Sequence, residues 1–177
     1  MQETYVEAIG KVISSKKKLE SELKVKITNK GKNVFISGKA EDEFIALKVM
    51  EAIDLGFSIE RALLLKNPDI LLQIINIKNV TKKHNLEAIR ARIIGTRGKT
   101  LKTVNNLTNC LISLKDNQVG VIGDFEYIAD AIQAMTSLAK GSKQSHVYAR
   151  LEREKKKKRL MDKGIEWIWL VEHINKY

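Results

Sequence analysis

The stretch IIGTRGKTLKTVNNL, residues 93–107, sets two glycines three apart and follows them with a Lys-Thr pair. Residues of these types in this order hold phosphate: glycine lets backbone approach an oxyanion, and the amides at a helix start favour negative charge. The phosphate of a free nucleotide would require G-x-x-x-x-G-K-[ST], and the first glycine of that loop would fall at Ile93. What remains is Gly-x-x-Gly at Gly95, Thr96, Arg97 and Gly98, too short to wrap a triphosphate. The phosphate it suits is one in a nucleic-acid backbone.

The elements around this loop must present it. Ile70–Ile77 is a short β-rich run, Lys78–Lys83 is polar and turn-like, and 85–94 carries Leu86, Ile89, Ile93 and Ile94 at helical spacing. After the loop, Leu101, Val104 and Leu107 mark one face of a second helix. Cys110–Leu114 and Val119–Ile122 flank a short polar turn as a hairpin, and Asp124 caps a helix running to about Ala139. The order is strand, helix, Gly-x-x-Gly, helix, strand, strand, helix.

The first half repeats that order in damaged form. Val25 and Ile27 pair with Val34 and Ile36 as a hairpin, and Glu41–Leu55 is the closing helix. Gly10-Lys11-Val12-Ile13 is expected to stand where Gly95–Gly98 stands, with the second glycine replaced by β-branched Ile13, which resists positive φ. This copy is also expected to lack an opening strand, because its first helix begins by about Tyr5. Ser58–Leu65 reads as a linking helix, and Pro68, the chain's one proline, marks the boundary. The chain thus divides into 1–66, 67–140, a basic helix over 141–163 and an apolar tail over 164–177. In the tail, IEWIWLV (Ile165–Val171) either supplies the missing edge strand or forms an amphipathic terminal helix.

Charge separates the halves. Met1–Val80 holds 13 Lys+Arg against 11 Asp+Glu, whereas Thr81–Lys163 holds 18 against 8, so the excess sits with the intact loop. No apolar run approaches the roughly 18 residues of a membrane span, and the Met-Gln-Glu start is not a signal peptide, so the expected location is the cytosol. Cys110 is read as a buried thiol, and His84, His146 and His173 lack partners at metal spacing. Neither a metal nor another cofactor is expected. No nucleophile elbow, Walker loop or Cys/His cluster points to an enzyme.

RIIGTRGKT, in its setting of helices and hairpin, resembles the KH RNA-binding domain of eukaryotic-type topology. With GFSIERALLL from Gly56, ILLQIINI from Ile70 and SHVYARLE from Ser145, the chain resembles the archaeal two-KH proteins of ribosome biogenesis, relatives of the Krr and Partner-of-Nob proteins. The resemblance implies an α+β fold of two tandem type I KH domains, each a small antiparallel sheet packed on helices. A basic C-terminal helix follows them. The first domain is the degenerate copy.

It also implies a non-catalytic protein that binds the 3′ region of small-subunit rRNA and works beside a Nob-type endonuclease and other assembly factors. In such a domain, Gly95, Thr96, Arg97 and Gly98 clasp single-stranded RNA, and Lys99 and Lys102 add charge at the rim, extended by Arg90 and Arg92, with a plain solvated helix residue as the alternative for Lys102. Ile94 and Ile112 are either an apolar floor for bases or plain core residues. The run Lys155, Lys156, Lys157, Lys158 and Arg159 reads as an auxiliary RNA contact, with a solvated helix face as its alternative. A protein-binding scaffold with RNA secondary is the competing function, and the oligomeric state is left open.

Overall fold

The computed structural model describes residues 1–82 and 84–174, with side chains as far as 164. One unit comprises β1 (Gln2–Tyr5), α1 (Ile9–Ser14), α2 (Lys16–Leu23), β2 (Lys26–Lys30), β3 (Asn33–Ser37) and α3 (Ala40–Asp54). A short α4 (Ile59–Ala62) and a 3-10 turn (Leu63–Lys66) lead into the second unit. That unit comprises β4 (Ile70–Asn76), α5 (Ile77–Val80), α6 (Leu86–Ile94), a 3-10 turn (Thr96–Gly98), α7 (Lys99–Thr108), β5 (Leu111–Lys115), β6 (Gln118–Asp124) and α8 (Phe125–Lys140). A long α9 (Gln144–Ile174) closes the described chain. The three-stranded sheets have the orders β1-β3-β2 and β4-β6-β5, antiparallel throughout.

Local chemistry sets the boundaries. Asn85 Oδ1 accepts the Ala88 amide at 3.0 Å to start α6, and Asp124 Oδ1 accepts the Glu126 amide at 2.9 Å to start α8. Gly141, at φ 107°, ends α8 by donating its amide to Ser137 and Leu138.

The two sheets differ in what covers them. In the first, Ile27, Val34 and Ile36 face the helices, while Lys26 and Thr28 on the other side meet solvent. In the second, Ile112, Val119 and Val121 face the helical layer, and the opposite face packs on the first unit. There Ile122 joins the first unit's core, with Ile70, Leu72, Ile74 and Leu111 packed against it. Each fully buried aliphatic side chain of this kind contributes about 2 kcal/mol. Ser113 Oγ donates to the Leu55 carbonyl at 2.8 Å, and a side chain at Gly120 would collide with Phe57 and Leu55. The central strand β6, buried on both faces, is accordingly apolar or glycine from Val119 to Gly123, whereas edge strand β4 leaves Leu71 and Gln73 exposed.

An ionic clasp closes the same interface. Lys115 Nζ lies 2.7 Å from Glu7 and 3.4 Å from Asp54, and Asp54 Oδ1 also accepts the Ala8 amide at 3.0 Å. The hydrogen bond from Lys115 holds Glu7 below the usual carboxylate range, and the same bond raises Lys115. Cys110 is buried against Gly123, and burial pushes its thiol up.

Several expectations need correction. The first unit has its opening strand: β1 pairs with β3 from Gln2↔Ile36 to Tyr5↔Asn33. It escapes a pattern search because QETY is polar and exposed at a sheet edge. The chain beyond it is fixed by fully buried Val6, whose amide donates to Lys32 O at 2.9 Å. The edge is therefore filled without the tail, whose backbone continues α9 to Ile174; residues 175–177 lie outside the described chain. Gly10–Ile13 is not a degraded loop, since it lies within α1, and the α1–α2 junction is the single residue Ser15 at φ −111°. The polar 78–83 stretch begins inside helix α5, anchored by buried Ile77. The second core also takes in Val147 and Leu151 of α9, so that unit runs past residue 140.

Candidate nucleic-acid interface

Helix α6 stops at Ile94 because Gly95 adopts φ 74°, ψ 170°, a conformation essentially confined to glycine. Its amide still donates to Ala91 O at 2.8 Å, which ties the loop to the helix end. The chain then makes one tight turn. The Gly98 amide donates to Gly95 O at 3.1 Å and the Lys99 amide to Thr96 O. Arg97 (φ 53°) and Gly98 (φ 74°) both lie in the left-handed region, so Thr96 and Arg97 form an exposed tip. Among the described residues no backbone acceptor meets the amides of Thr96 and Arg97, which stay open to solvent.

Helix α7 begins at once, with exposed Lys99 and Lys102 one turn apart on its outer side. No carboxylate among the described residues forms an ion pair with Arg97, Lys99 or Lys102. Three uncompensated cations and the positive end of α7 therefore surround the tip. Beside it, Ile94 is 38% exposed whereas Ile112 is 7% exposed and packed in the core, so Ile94 alone offers substantial apolar surface.

The structure places Arg90 and Arg92 in internal bonds. Arg90 Nη1 donates to Asn117 Oδ1 at 2.9 Å, joining α6 to the β5–β6 turn, and Arg92 Nη1 donates to Gly141 O at 2.6 Å. The basic run on α9 also divides. Lys155 Nζ donates to Asn106 O at 2.5 Å, and Lys158 Nζ reaches Glu126 O at 2.6 Å and Asp130 Oδ2 at 2.7 Å, 4.5 Å from the centre of the Tyr127 ring. Arg159 lines the shallow cleft on this inner side. Lys156 and Lys157 point the other way, where they share a surface with Arg153, Leu160 and Met161. Arg153 was missed by counting only the Lys run, although its i, i+3 and i+4 spacing to Lys156 and Lys157 marks one helix face. Gln144, whose amide bonds Thr100, gives no sequence signal of its own. No group of three or more His, Cys, Asp or Glu placed to hold a metal occurs among the described residues.

Comparison with known proteins supplies the family. Residues 71–156 match the eukaryotic-type (type I) KH domain in the form of the second KH domain of PNO1. A KH domain-containing protein of Methanocaldococcus jannaschii is 31% identical over 162 residues, covering 84% of this chain and 69% of that protein. The solved complex of a/eIF2α, aDim2p and rRNA from Pyrococcus horikoshii contains a chain of 33% identity that superposes with a TM-score of 0.80, covering 88% of this chain and 95% of that one. The chain belongs to the PNO1/Dim2 family of KH-domain proteins. A further member, the pre-rRNA-processing protein PNO1 of Eremothecium gossypii, is 34% identical over 105 residues; these cover 58% of this chain but only 39% of that protein.

Proposed function

We propose that this protein is a non-catalytic assembly factor of the small ribosomal subunit that holds single-stranded rRNA near its 3′ end through the Gly95–Gly98 loop. The observation that carries the reading is the loop itself: an exposed tip with two unengaged amides, ringed by the unpaired cations Arg97, Lys99 and Lys102. The pre-rRNA-processing relatives and the rRNA in the P. horikoshii complex support the choice of RNA. On this reading the two units are tandem KH domains, given their shared element and strand order. The first lacks a loop able to clasp RNA, and the work is done in the cytosol beside a Nob-type endonuclease and other assembly factors.

The test is binding of a labelled 12-nucleotide single-stranded RNA matching the rRNA 3′ end, against a scrambled RNA, for wild type and Thr96→Asp/Arg97→Asp. Aspartate tolerates the left-handed conformation at 97, so the variant reverses charge without unfolding the turn. Wild type should prefer the rRNA sequence, and the variant should bind at least about tenfold more weakly. Equal binding by both proteins removes the loop from the site.

A second reading, a protein-docking surface where the first unit meets the second, is favoured by one observation. Exposed Tyr5 and Phe44 line a cleft of about 470 Å³ between α3 and β4. The P. horikoshii complex holds a protein, a/eIF2α, together with RNA, so the two roles are compatible.

A further inference from the structure

The start of α9 is hydrogen-bonded to both helices that flank the loop. Gln144 Nε2 donates to Thr100 Oγ1 at 2.7 Å and to Arg92 O at 3.3 Å, so one amide group bridges the end of α6 and the first turn of α7. Thr100 is 2% exposed, and its Oγ1 occupies the space that a side chain at Gly95 would fill. The Arg92–Gly141 bond fastens the same junction from the other side. Gln144 thereby sets Thr100, and Thr100 is the surface on which Gly95 rests.

The loop needs such a support. Arg97, a residue with a Cβ, is held at φ 53°, and left-handed backbone is disfavoured for such residues. The turn is closed by two single backbone bonds, from the Gly98 and Lys99 amides, beside a tip whose Thr96 and Arg97 are exposed. From this geometry we propose that Gln144 is a positioning residue for RNA binding: it touches no RNA, and it holds the Gly95–Gly98 turn in its binding shape through Thr100. The proposal rests on the reading of the loop as the RNA site. It also makes the turn and the basic helix a single unit, because the residue that orders the loop is the first residue of α9.

The experiment is a double-mutant cycle with Gln144→Leu, which keeps volume and loses the donor, and Thr100→Val, which keeps shape and loses the hydroxyl. Thr100→Ser is the control that keeps the hydroxyl. Affinity for the same 12-nucleotide RNA is measured across salt, with amide exchange of Gly98 and Lys99 in the free proteins. Gln144→Leu should bind about tenfold more weakly, the loss expected for its partly buried hydrogen bond to Thr100, with the long, exposed bond to Arg92 O adding little. The salt slope should stay that of wild type, since no phosphate contact is removed. Thr100→Val should match it, the double variant should be no weaker than either, and the serine control should bind as wild type. Exchange at Gly98 and Lys99 should quicken in Gln144→Leu and Thr100→Val. Unchanged affinity, or losses that add in the double variant, overturns the proposal. Should Gln144→Leu fail to fold, the valine and serine variants at 100 decide: equal affinity overturns it, and loss in valine alone sustains it. If wild type itself fails to bind RNA, the RNA reading falls, and the exchange rates alone decide whether Gln144 orders the turn.

Discussion

Replacing Arg153, Lys156 and Lys157 together by alanine should roughly halve the salt dependence of RNA binding. These three share one outward surface of α9, while Lys155 and Lys158 anchor the helix to α7 and α8. With Arg97, Lys99 and Lys102 each neutralising one phosphate and the α9 trio three more, single-stranded RNA gives a slope of about −4 in log affinity against log salt, at about −0.7 per contact. Raising salt fourfold then weakens wild type about 300-fold. The triple variant, with about three contacts left, has a slope near −2 and weakens only about 20-fold. Lys157 lies thirteen residues beyond Gln144, about 20 Å along the helix. The effect should therefore appear with a 12-nucleotide RNA and vanish with a tetranucleotide confined to the groove. Fluorescence anisotropy titrations at four salt concentrations measure both. An unchanged slope for the long RNA refutes the division of the basic run. So does Lys158→Met giving the same slope change as the triple variant, since its loss should lower the melting temperature instead.

The loop's two glycines and Lys115 offer three further substitutions. Gly95→Ala should destabilise the protein by about 2 kcal/mol and abolish RNA binding, because it combines the strained backbone with a collision at Thr100; Gly98→Asn, whose side chain meets open space, should be tolerated, as thermal unfolding with anisotropy will show. Lys115→Met should cost stability that depends on pH, read by denaturant titration against wild type. The folded-state value of Glu7 is depressed, so its share is present at neutral pH and lost as pH falls through and below the usual carboxylate range; that of Lys115 is raised, so its share is lost as pH climbs above about 10. The wild-type advantage should span roughly pH 5 to 10 and close on either side.

The second unit was legible because its elements obey simple periodicities: Leu101, Val104 and Leu107 on α7, and the apolar runs bracketing Asp116 and Asn117 at the hairpin turn. β1 was not, because an exposed edge strand of four residues has no apolar face to read. Matching Gly10 to Gly95 failed because glycine is tolerated inside a helix, and buried Val12 fixed those residues in α1. At the site, Gly95, Gly98, Arg97, Lys99 and Lys102 stand together as their spacing implied. The internal bonds of Arg90, Arg92, Lys155 and Lys158 were invisible because each depends on a partner at least 27 residues away. Ile112 resolved as core because strand alternation and the first unit's position put it on the helical side of the sheet.

The close seat of Phe57 against Gly120, and the bond from Ser113 to Leu55, bear on how this chain can be dissected. Separating the units would bare Ile122 and the strand residues packed beside it, leaving a fragment prone to clump and not a working half. Calorimetry should accordingly record one cooperative melt for both units. A variant harmful to the first can then silence the RNA loop by lowering the amount of intact protein, with every residue of that loop untouched.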